Sequence, residues 1–328
     1  MDKEYTFSVA QIETQLAFLK EKGVTELSLH DQALSMDKKR LVNLLKKIRF
    51  EYPELFCSIL IQPAILDREL VSLLAETFSS LELPLNYTEK GGKLLFDKKM
   101  YASKARLLNE AEIVFGFQLD YASSPSDTIK LFMERLDFAV QQYPNHIDFP
   151  QTEQTGEASA SVSGNFSAKD IRYARDLAFA ARTFYSAGRA VPWFLSILHP
   201  LRIYPSRFFA DFAEWQRCNN CDFRSGFSPE AEKHKAIEKM QLLFLEQKYE
   251  EKNCLQLFPA VQDIVQLNGA LSRLVGEGEE SIIDTSYHPD DVLSPESMDL
   301  HSFADNVCME NCRVKVFYNG ENPDYKIL

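Results

Sequence analysis

The sequence predicts an α/β protein, specifically a partial (β/α) barrel of about five to six parallel strands followed by a mostly helical C-terminal region. Two observations predict this class. In the first half, short apolar or β-branched runs start roughly 25 to 35 residues apart, and a helix-patterned stretch precedes each of them. In the second half this period disappears and helical patterns dominate. Strands that alternate with helices form parallel sheets, because a parallel return requires a crossover connection.

The predicted strands are short and rich in residues that favour a pleated, buried surface. They are Val24–His30, Phe56–Ile61, Leu81–Leu85, Ile113–Leu119 and His146–Phe149. Five β/α units are too few to close an eight-stranded barrel. An open doubly wound sheet is therefore the alternative to a partial barrel.

The helices of the first half begin at capping residues and carry apolar stripes. Ser8 and Gln11 have the spacing of a capping box, in which each side chain bonds a backbone amide of the first turn. The helix that they open, Val9–Glu21, ends before Gly23, because glycine favours the helix terminus. Further helices are predicted at Asp37–Phe50, Asp67–Phe78 and Pro125–Tyr143.

The composition changes at residues 151–166, which hold little to bury. We predict three parts: a partial β/α barrel at 1–150, a flexible linker or loop at 151–166, and a mostly helical domain with a terminal strand at 167–328. The predicted elements of the third part are a Ser167-capped helix to Ala187, helices at Pro205–Gln216, Pro229–Tyr249 and Leu257–Leu274, an acidic loop at Gly276–Ser297, and a strand at Arg313–Tyr318.

Charge and composition exclude several classes of protein. With 36 Lys and Arg against 48 Asp and Glu, the formal net charge is −12, so neither nucleic-acid phosphates nor anionic membranes would attract the chain. No apolar run reaches the ~18 residues of a membrane span, and the first residues do not resemble a signal peptide. Six cysteines are too few for a disulfide framework in 328 residues. We therefore expect a soluble, cytoplasmic protein that binds neither nucleic acid nor membrane.

Polar residues follow the predicted strands, at the end where parallel β/α folds bind ligands. The candidate ligand-binding residues are His30, Asp31, Gln62, Asn86, Gln118 and Asp120, and Asp148 ends the fifth strand. Together they form the ring of polar groups that a small-molecule site needs. Alternatively, these residues belong to ordinary polar loops without a binding role, because every strand is followed by a loop.

Four of the cysteines are candidate metal ligands. Cys218 and Cys221 have the two-residue spacing that lets two thiolates bind one metal, and Cys308 and Cys312 would supply the other two. Four thiolates suit an iron–sulfur cluster or a structural zinc ion. The alternatives are a redox-active pair at Cys218 and Cys221, and plain reduced thiols, since isolated cysteines often act as small buried hydrophobic residues.

The order of elements from Phe7 to about Phe149 resembles the radical SAM superfamily, in particular its cobalamin-associated group with a helical C-terminal extension. The segments that carry the resemblance are Leu27–Ser35 (LSLHDQALS), Ala64–Leu70 (AILDREL), Leu83–Asn86 (LPLN), Phe115–Tyr121 (FGFQLDY) and Pro192–Trp215. The resemblance implies a barrel with an iron–sulfur cluster, and S-adenosylmethionine as cofactor if the family activity is retained. It also implies that Asp31 matches the acidic residue that the family places before an aromatic-rich turn.

The sequence departs from that family at its functional positions. The three-cysteine C-x₃-C-x₂-C motif is absent, and Tyr121–Pro125 lacks the glycine of the turn that follows the family's fifth strand. Asn86 and Tyr87 stand where the family has Gln and Ser. Without three thiolates, no cluster offers the open iron that binds S-adenosylmethionine and cleaves it reductively.

The sequence therefore supports four hypotheses. The first is a degenerate radical-SAM-like protein that is not catalytic and acts as a binding or partner subunit. The second is a fragment or split subunit of an active enzyme, with the cluster and a missing strand supplied by another segment or by a second chain that completes the barrel. In the third, Cys218, Cys221, Cys308 and Cys312, which we term the late cysteines, hold an auxiliary iron–sulfur or zinc site. The fourth is an unrelated β/α enzyme that uses His30, Asp31 and Asp120.

Overall fold

The computed structural model describes residues 7–90, 93–150, 165–219 and 226–328. Residues 151–164 of the predicted linker lie outside this set. The chain divides into two compact units, one made of Met1–Thr128 and Phe138–Asn165, the other of Ile129–Asp137 and Phe166–Leu328. Among the described helices, no stretch combines the length and the hydrophobicity that a membrane span requires.

A five-stranded parallel sheet is the centre of the first unit. The strands of this unit are β1 (Glu26–Leu29), β2 (Phe56–Leu60), β3 (Ser79–Pro84), the antiparallel pair β4 (Thr88–Lys90) and β5 (Lys93–Leu95), β6 (Phe115–Gln118) and β7 (His146–Asp148). The parallel sheet has the order β1-β2-β3-β6-β7. This order follows the chain without the reversal that marks a doubly wound sheet. The α/β class with a partial barrel is thereby confirmed.

The helices of the first unit begin at polar caps. They are α1 (Val9–Glu21), α2 (Gln32–Met36), α3 (Lys38–Glu51), a 3₁₀ turn (Pro63–Ile65), α4 (Arg68–Ala75), α5 (Lys98–Glu110) and α6 (Ile129–Val140), which has residues in both units. The predicted capping box is present, since the Ser8 amide donates to Gln11 Oε1 at 2.9 Å. The carboxylates that cap α2 to α5 belong to Asp31, Asp37, Asp67 and Asp97.

The apolar face of the parallel sheet is the core of the first unit. The buried residues of this face are Cys57, Ile59, Leu81, Leu83, Phe115, Phe117 and Ile147. Tyr101 of α5 contacts Phe117, with ring centroids 6.3 Å apart. The Tyr101 hydroxyl also donates to Pro84 O at 2.9 Å. Helix α5 is therefore tied to the sheet by both apolar and polar contacts.

The second unit is mostly helical. Its helices are α7 (Ala168–Ala181), continued by a π-helical turn (Arg182–Ala187), α8 (Phe194–Leu201), α9 (Pro205–Asn219), α10 (His234–Glu251), a 3₁₀ turn (Leu255–Leu257), α11 (Phe258–Glu277), α12 (Pro289–Val292), a 3₁₀ turn (Pro295–Met298) and α13 (Leu300–Asn306). The core is aromatic: the ring of Phe184 lies 4.8 Å from that of Phe208 and 5.0 Å from that of Phe212. Edge-to-face packing of this kind stabilises beyond the area that it buries.

A three-stranded antiparallel sheet ends the chain. Its strands are β8 (Ser281–Thr285), β9 (Cys312–Asn319) and β10 (Asn322–Ile327), in the order β10-β9-β8. The sequence predicted a strand at Arg313–Tyr318, which lies within β9, and a loop at Gly276–Ser297. The region of that loop instead contains β8 and α12. Strand β8 forms because it pairs with β9, as Ile283 does with Val314. Such long-range pairing leaves little trace in the local sequence pattern.

Candidate functional site

One face of the parallel sheet carries polar side chains. Successive residues of a strand point to opposite faces, so residues two apart share a face. The pairing register places on this polar face Ser28, Ser58, Leu60, Ser80, Glu82, Gly116, Gln118, His146 and Asp148. The set includes two carboxylates, an imidazole and a carboxamide, which are the groups that orient ligands in binding sites.

Glu82, Gly116 and His146 form a row across β3, β6 and β7. Glu82 is in register with Gly116, and Gly116 is in register with His146. Because Gly116 has no side chain, the acid and the imidazole meet over it, with His146 Nε2 2.7 Å from Glu82 Oε1. A Cβ atom on Gly116 would lie 2.1 Å from His146 Nε2. The close approach of the ring therefore requires glycine at this position.

Asp148 lies two residues beyond His146 on the same face of β7. Its Oδ2 atom is 3.5 Å from His146 Nε2. Glu82, His146 and Asp148, which we term the Glu82 group, place their potential ligand atoms within 4.8 Å of one another. The Glu82 group is compact enough for a single ligand to contact all three side chains.

The Glu82 carboxylate is buried and only half satisfied. Glu82 is 5% exposed, and its Oε2 atom has no hydrogen-bond partner among the described residues. Burial disfavours the charged form of His146, but the hydrogen bond and charge of Glu82, and then the charge of Asp148, outweigh this and raise the pKa of His146 above its ordinary value. The two carboxylates thus favour positive charge between them.

A second polar pair lies toward the β1 side of the polar face. His30 directly follows β1, and its Nε2 atom is 3.0 Å from Ser58 Oγ. Ser58 is in register with Ser28 and Ser80 on the neighbouring strands. The polar face therefore continues with hydrogen-bonding groups toward the edge strand.

Three residues predicted to bind a ligand, Asp31, Gln62 and Asn86, lie beyond the ends of their strands. The Asp31 carboxylate caps α2 by accepting from Leu34 N–H at 2.8 Å. Gln62 directly precedes the 3₁₀ turn at Pro63–Ile65, and Asn86 is exposed. None of the three belongs to the Glu82 group, and their part in ligand binding stays a prediction.

Of the other three predicted residues, Gln118 is next to a member of the Glu82 group. Gln118 is in register with Asp148, and both are on the polar face. His30 adjoins the same face through Ser58. Asp120 follows β6 by two residues and is half-buried. The structure thus brings Gln118 beside the Glu82 group, and the ligand-binding roles of these three residues also stay predictions.

The four cysteines predicted to bind metal are not all among the described residues. Cys218 near the end of α9 and Cys308 before β9 are both exposed. Cys312 is buried at the start of β9, where its thiol donates to Glu310 O at 3.2 Å. Burial, and then nearby carboxylates, raise the pKa of this thiol. Cys221 lies outside the described residues, so the four-thiolate site stays a prediction.

Neither Glu82 nor His146 is among the site residues that the sequence predicts. Three local signals mark the site: an acid inside the apolar run LELPL, the alternation of His146 and Asp148 in HIDF, and a glycine inside the strand FGFQ. A glycine within a strand often marks a close approach. These signals are far apart in the chain, and only the register of the strands joins them in one row.

Comparison with known proteins identifies distant structural neighbours. No protein-family model and no curated protein matches the chain. Two similar solved structures are of the radical S-adenosylmethionine methyltransferase TsrM from Kitasatospora setae. The structure with tryptophan and the analog aza-SAM is 15% identical, with a TM-score of 0.37, over 43% of this chain and 30% of that chain. The structure with cobalamin and a [4Fe-4S] cluster is 12% identical, with a TM-score of 0.40, over 78% of this chain and 56% of that chain.

This chain therefore covers less than two thirds of the length of either neighbour. Both structures are of the same radical S-adenosylmethionine methyltransferase. At these identities and TM-scores the likeness assigns no residue of this chain to a function. The candidate site consequently rests on the geometry of the polar face alone.

Proposed function

We propose that this protein is a radical-SAM-like β/α protein that binds a small ligand on the polar face of its parallel sheet and has lost radical chemistry. It acts as a binding or partner subunit. Three features support the proposal: the strand order of a partial barrel, the Glu82 group on the polar face, and the absence of the three-cysteine motif from the sequence.

The observation that carries the proposal is the buried Glu82 carboxylate, whose Oε2 atom has no hydrogen-bond partner among the residues that the structure describes. Leu60 of β2 is in register with Glu82. An apolar side chain is therefore tolerated at the corresponding position of the neighbouring strand. His146 pairs with Oε1 of this buried carboxylate, but the second oxygen has no such partner, and an unsatisfied buried oxygen lowers stability. A bound ligand that neutralises or hydrogen-bonds to Oε2 offsets this cost, so the charge is best explained by binding.

The donors of the polar face do not fit the iron–sulfur cluster that the resemblance implies. Thiolates hold such clusters, whereas this face offers carboxylates, an imidazole and hydroxyls. Cys57 lies in β2 on the opposite, apolar face, where burial raises the pKa of its thiol to about 12. No step of the proposed function therefore runs through a cluster at this face.

Protein purified under non-denaturing conditions is expected to carry a small ligand whose retention depends on Glu82. In native mass spectrometry, the wild type should show a mass excess over its sequence, and Glu82→Gln should lose that excess because the amide carries no charge. Glu89→Gln, on the exposed strand β4, is the matched control and should keep it. A folded wild-type protein with no mass excess would contradict the proposal.

The isolated chain is expected to leave S-adenosylmethionine intact. After anaerobic reconstitution with iron and sulfide and chemical reduction, it should form no 5′-deoxyadenosine above a protein-free control, because the motif that opens an iron site to S-adenosylmethionine is absent. Chromatography of the nucleosides measures this. Product formation by the wild type would refute the loss of radical chemistry, and a Cys218→Ala, Cys221→Ala variant would then test whether the late cysteines hold the cluster.

A second candidate function is a split subunit of an active radical enzyme. The observation that favours it is the position of β1, which lies at the edge of the sheet and pairs only with β2 among the described residues. An edge strand offers unpaired backbone groups to a strand of another chain. In this case protein purified from its own cells elutes with a partner that carries the cysteine motif, and the complex, unlike the isolated chain, forms 5′-deoxyadenosine.

A further inference from the structure

We infer that Glu82, His146 and Asp148 bind a divalent transition-metal ion of the Zn²⁺, Mn²⁺ or Fe²⁺ class. The inference rests on the proposed function, because it names the chemistry of the ligand that the polar face binds. Strands β3 and β7 supply the three side chains, and Gly116 of β6 separates them.

The three side chains are spaced for one ion. Oxygen and nitrogen ligands lie about 2.0–2.2 Å from these ions, so neighbouring ligand atoms are ~3–3.5 Å apart in tetrahedral or octahedral coordination. His146 Nε2 is 3.5 Å from Asp148 Oδ2 and 2.7 Å from Glu82 Oε1. The three potential ligand atoms lie within 4.8 Å of one another. Binding one ion therefore requires the Glu82 carboxylate to rotate away from the His146 ring and the ion to replace the proton between Nε2 and Oε1.

The unsatisfied carboxylate oxygen is a second, independent observation. Glu82 is 95% buried, yet its Oε2 atom lacks a hydrogen-bond partner in the described part of the chain. A simple ion pair with His146 uses only Oε1 and leaves this oxygen unsatisfied. A metal ion held by both carboxylate oxygens, or held by one with a bound water beside the other, satisfies the whole group.

The donor set selects the class of ion. One imidazole with two carboxylates suits Zn²⁺, Mn²⁺ and Fe²⁺, whereas Ca²⁺ and Mg²⁺ prefer oxygen donors alone and Cu⁺ prefers sulfur. Three protein ligands also leave at least one coordination position open to water or to a second ligand. Gln118, in register with Asp148, provides a carboxamide beside this group.

Cobalt(II) is the probe of choice, because its absorption distinguishes this site from the late cysteines. Thiolate ligands produce an intense charge-transfer band in the near ultraviolet, whereas nitrogen and oxygen ligands produce only weak visible bands. Equilibrium dialysis of the metal-free full chain should show one bound Co²⁺ without the thiolate band, displaced by Zn²⁺. Glu82→Gln and Asp148→Asn should each weaken binding at least about 100-fold, since losing an outer-shell partner alone costs 10–100-fold.

Glu89→Gln is the matched control and should bind Co²⁺ as the wild type does. If Glu82→Gln does not fold, the test uses Asp148→Asn. This variant is expected to fold, because the Asp148 side chain is 36% exposed and the substitution preserves its shape. Unchanged affinity in the variants, or binding only with the thiolate band, overturns the inference. An organic ligand that depends on Glu82, without metal binding, overturns the metal site but leaves the proposed function standing. The absence of both ligand and metal overturns both.

Discussion

Replacing Arg273 with methionine is expected to lower the free energy of unfolding by about 3–5 kcal/mol. Arg273 of α11 is 2% exposed, and its Nη1 atom donates to Glu238 Oε2 at 2.5 Å and to His234 Nδ1 at 3.0 Å. Removing the guanidinium leaves the Glu238 carboxylate, whose side chain is only 12% exposed, without its cation, which is the costly half of a broken pair. Urea unfolding followed by circular dichroism measures the loss.

The surroundings of the pair explain why the effect is large. Burial, and then the charges of Arg189 and Arg273, lower the pKa of His234 to about 4, so its neutral ring accepts the bond from Arg273 at neutral pH. Gly269 leaves room for the pair, because a Cβ atom there would lie 2.0 Å from Glu238 Oε2. The packing around Arg273 and Glu238 therefore leaves the Glu238 carboxylate little room to move when the guanidinium is removed.

Two controls separate the loss of a buried pair from the loss of any arginine. Arg313→Met removes an exposed residue whose Nε atom is 3.9 Å from Asp284 Oδ1, and should change the free energy of unfolding by no more than about 1 kcal/mol. The double variant Arg273→Met, Glu238→Met should recover much of the loss, because neither charge is then buried alone. Equal losses in Arg273→Met and Arg313→Met would contradict this account.

Gly116→Ala is expected to break the Glu82–His146 contact and to abolish ligand binding at the polar face. The added Cβ would lie 2.1, 2.3 and 2.6 Å from three atoms of the His146 ring, so the ring must leave its position over the glycine. Overpacking of this kind typically costs about 1–3 kcal/mol in unfolding free energy. Urea unfolding measures that loss, and native mass spectrometry measures the loss of the ligand.

A double-mutant cycle identifies the cause. In a His146→Ala background the ring is gone, so Gly116→Ala should cost much less than it does in the wild type. Gly276→Ala is the matched glycine control: its Cβ would meet no atom closer than 3.5 Å, and the change should be neutral or stabilise α11 by up to about 1 kcal/mol. If Gly116→Ala costs the same with and without the His146 ring, the glycine is required for some other reason.

The first unit was more accessible to sequence analysis than the second. The predicted α1 matches the observed helix, and predicted strands begin at Phe56 and His146 as the structure has them. These elements follow from periodicity and capping residues within a few positions of one another. Strand β8, by contrast, forms through pairing with β9 about 30 residues further along the chain, and no local pattern in Ser281–Thr285 indicates this pairing.

By itself, the sequence determined the α/β class, the alternation of strands and helices, and the absence of the three-cysteine motif. Each of these can be read from the order of neighbouring residues or from composition. Only the tertiary structure decided the candidate site. Glu82, Gly116 and His146 meet because the registers of three strands align, and burial leaves Glu82 Oε2 without a hydrogen-bond partner among the described residues. Register and burial depend on contacts between segments distant in the chain, and the local patterns of a single sequence do not show which of its segments will touch.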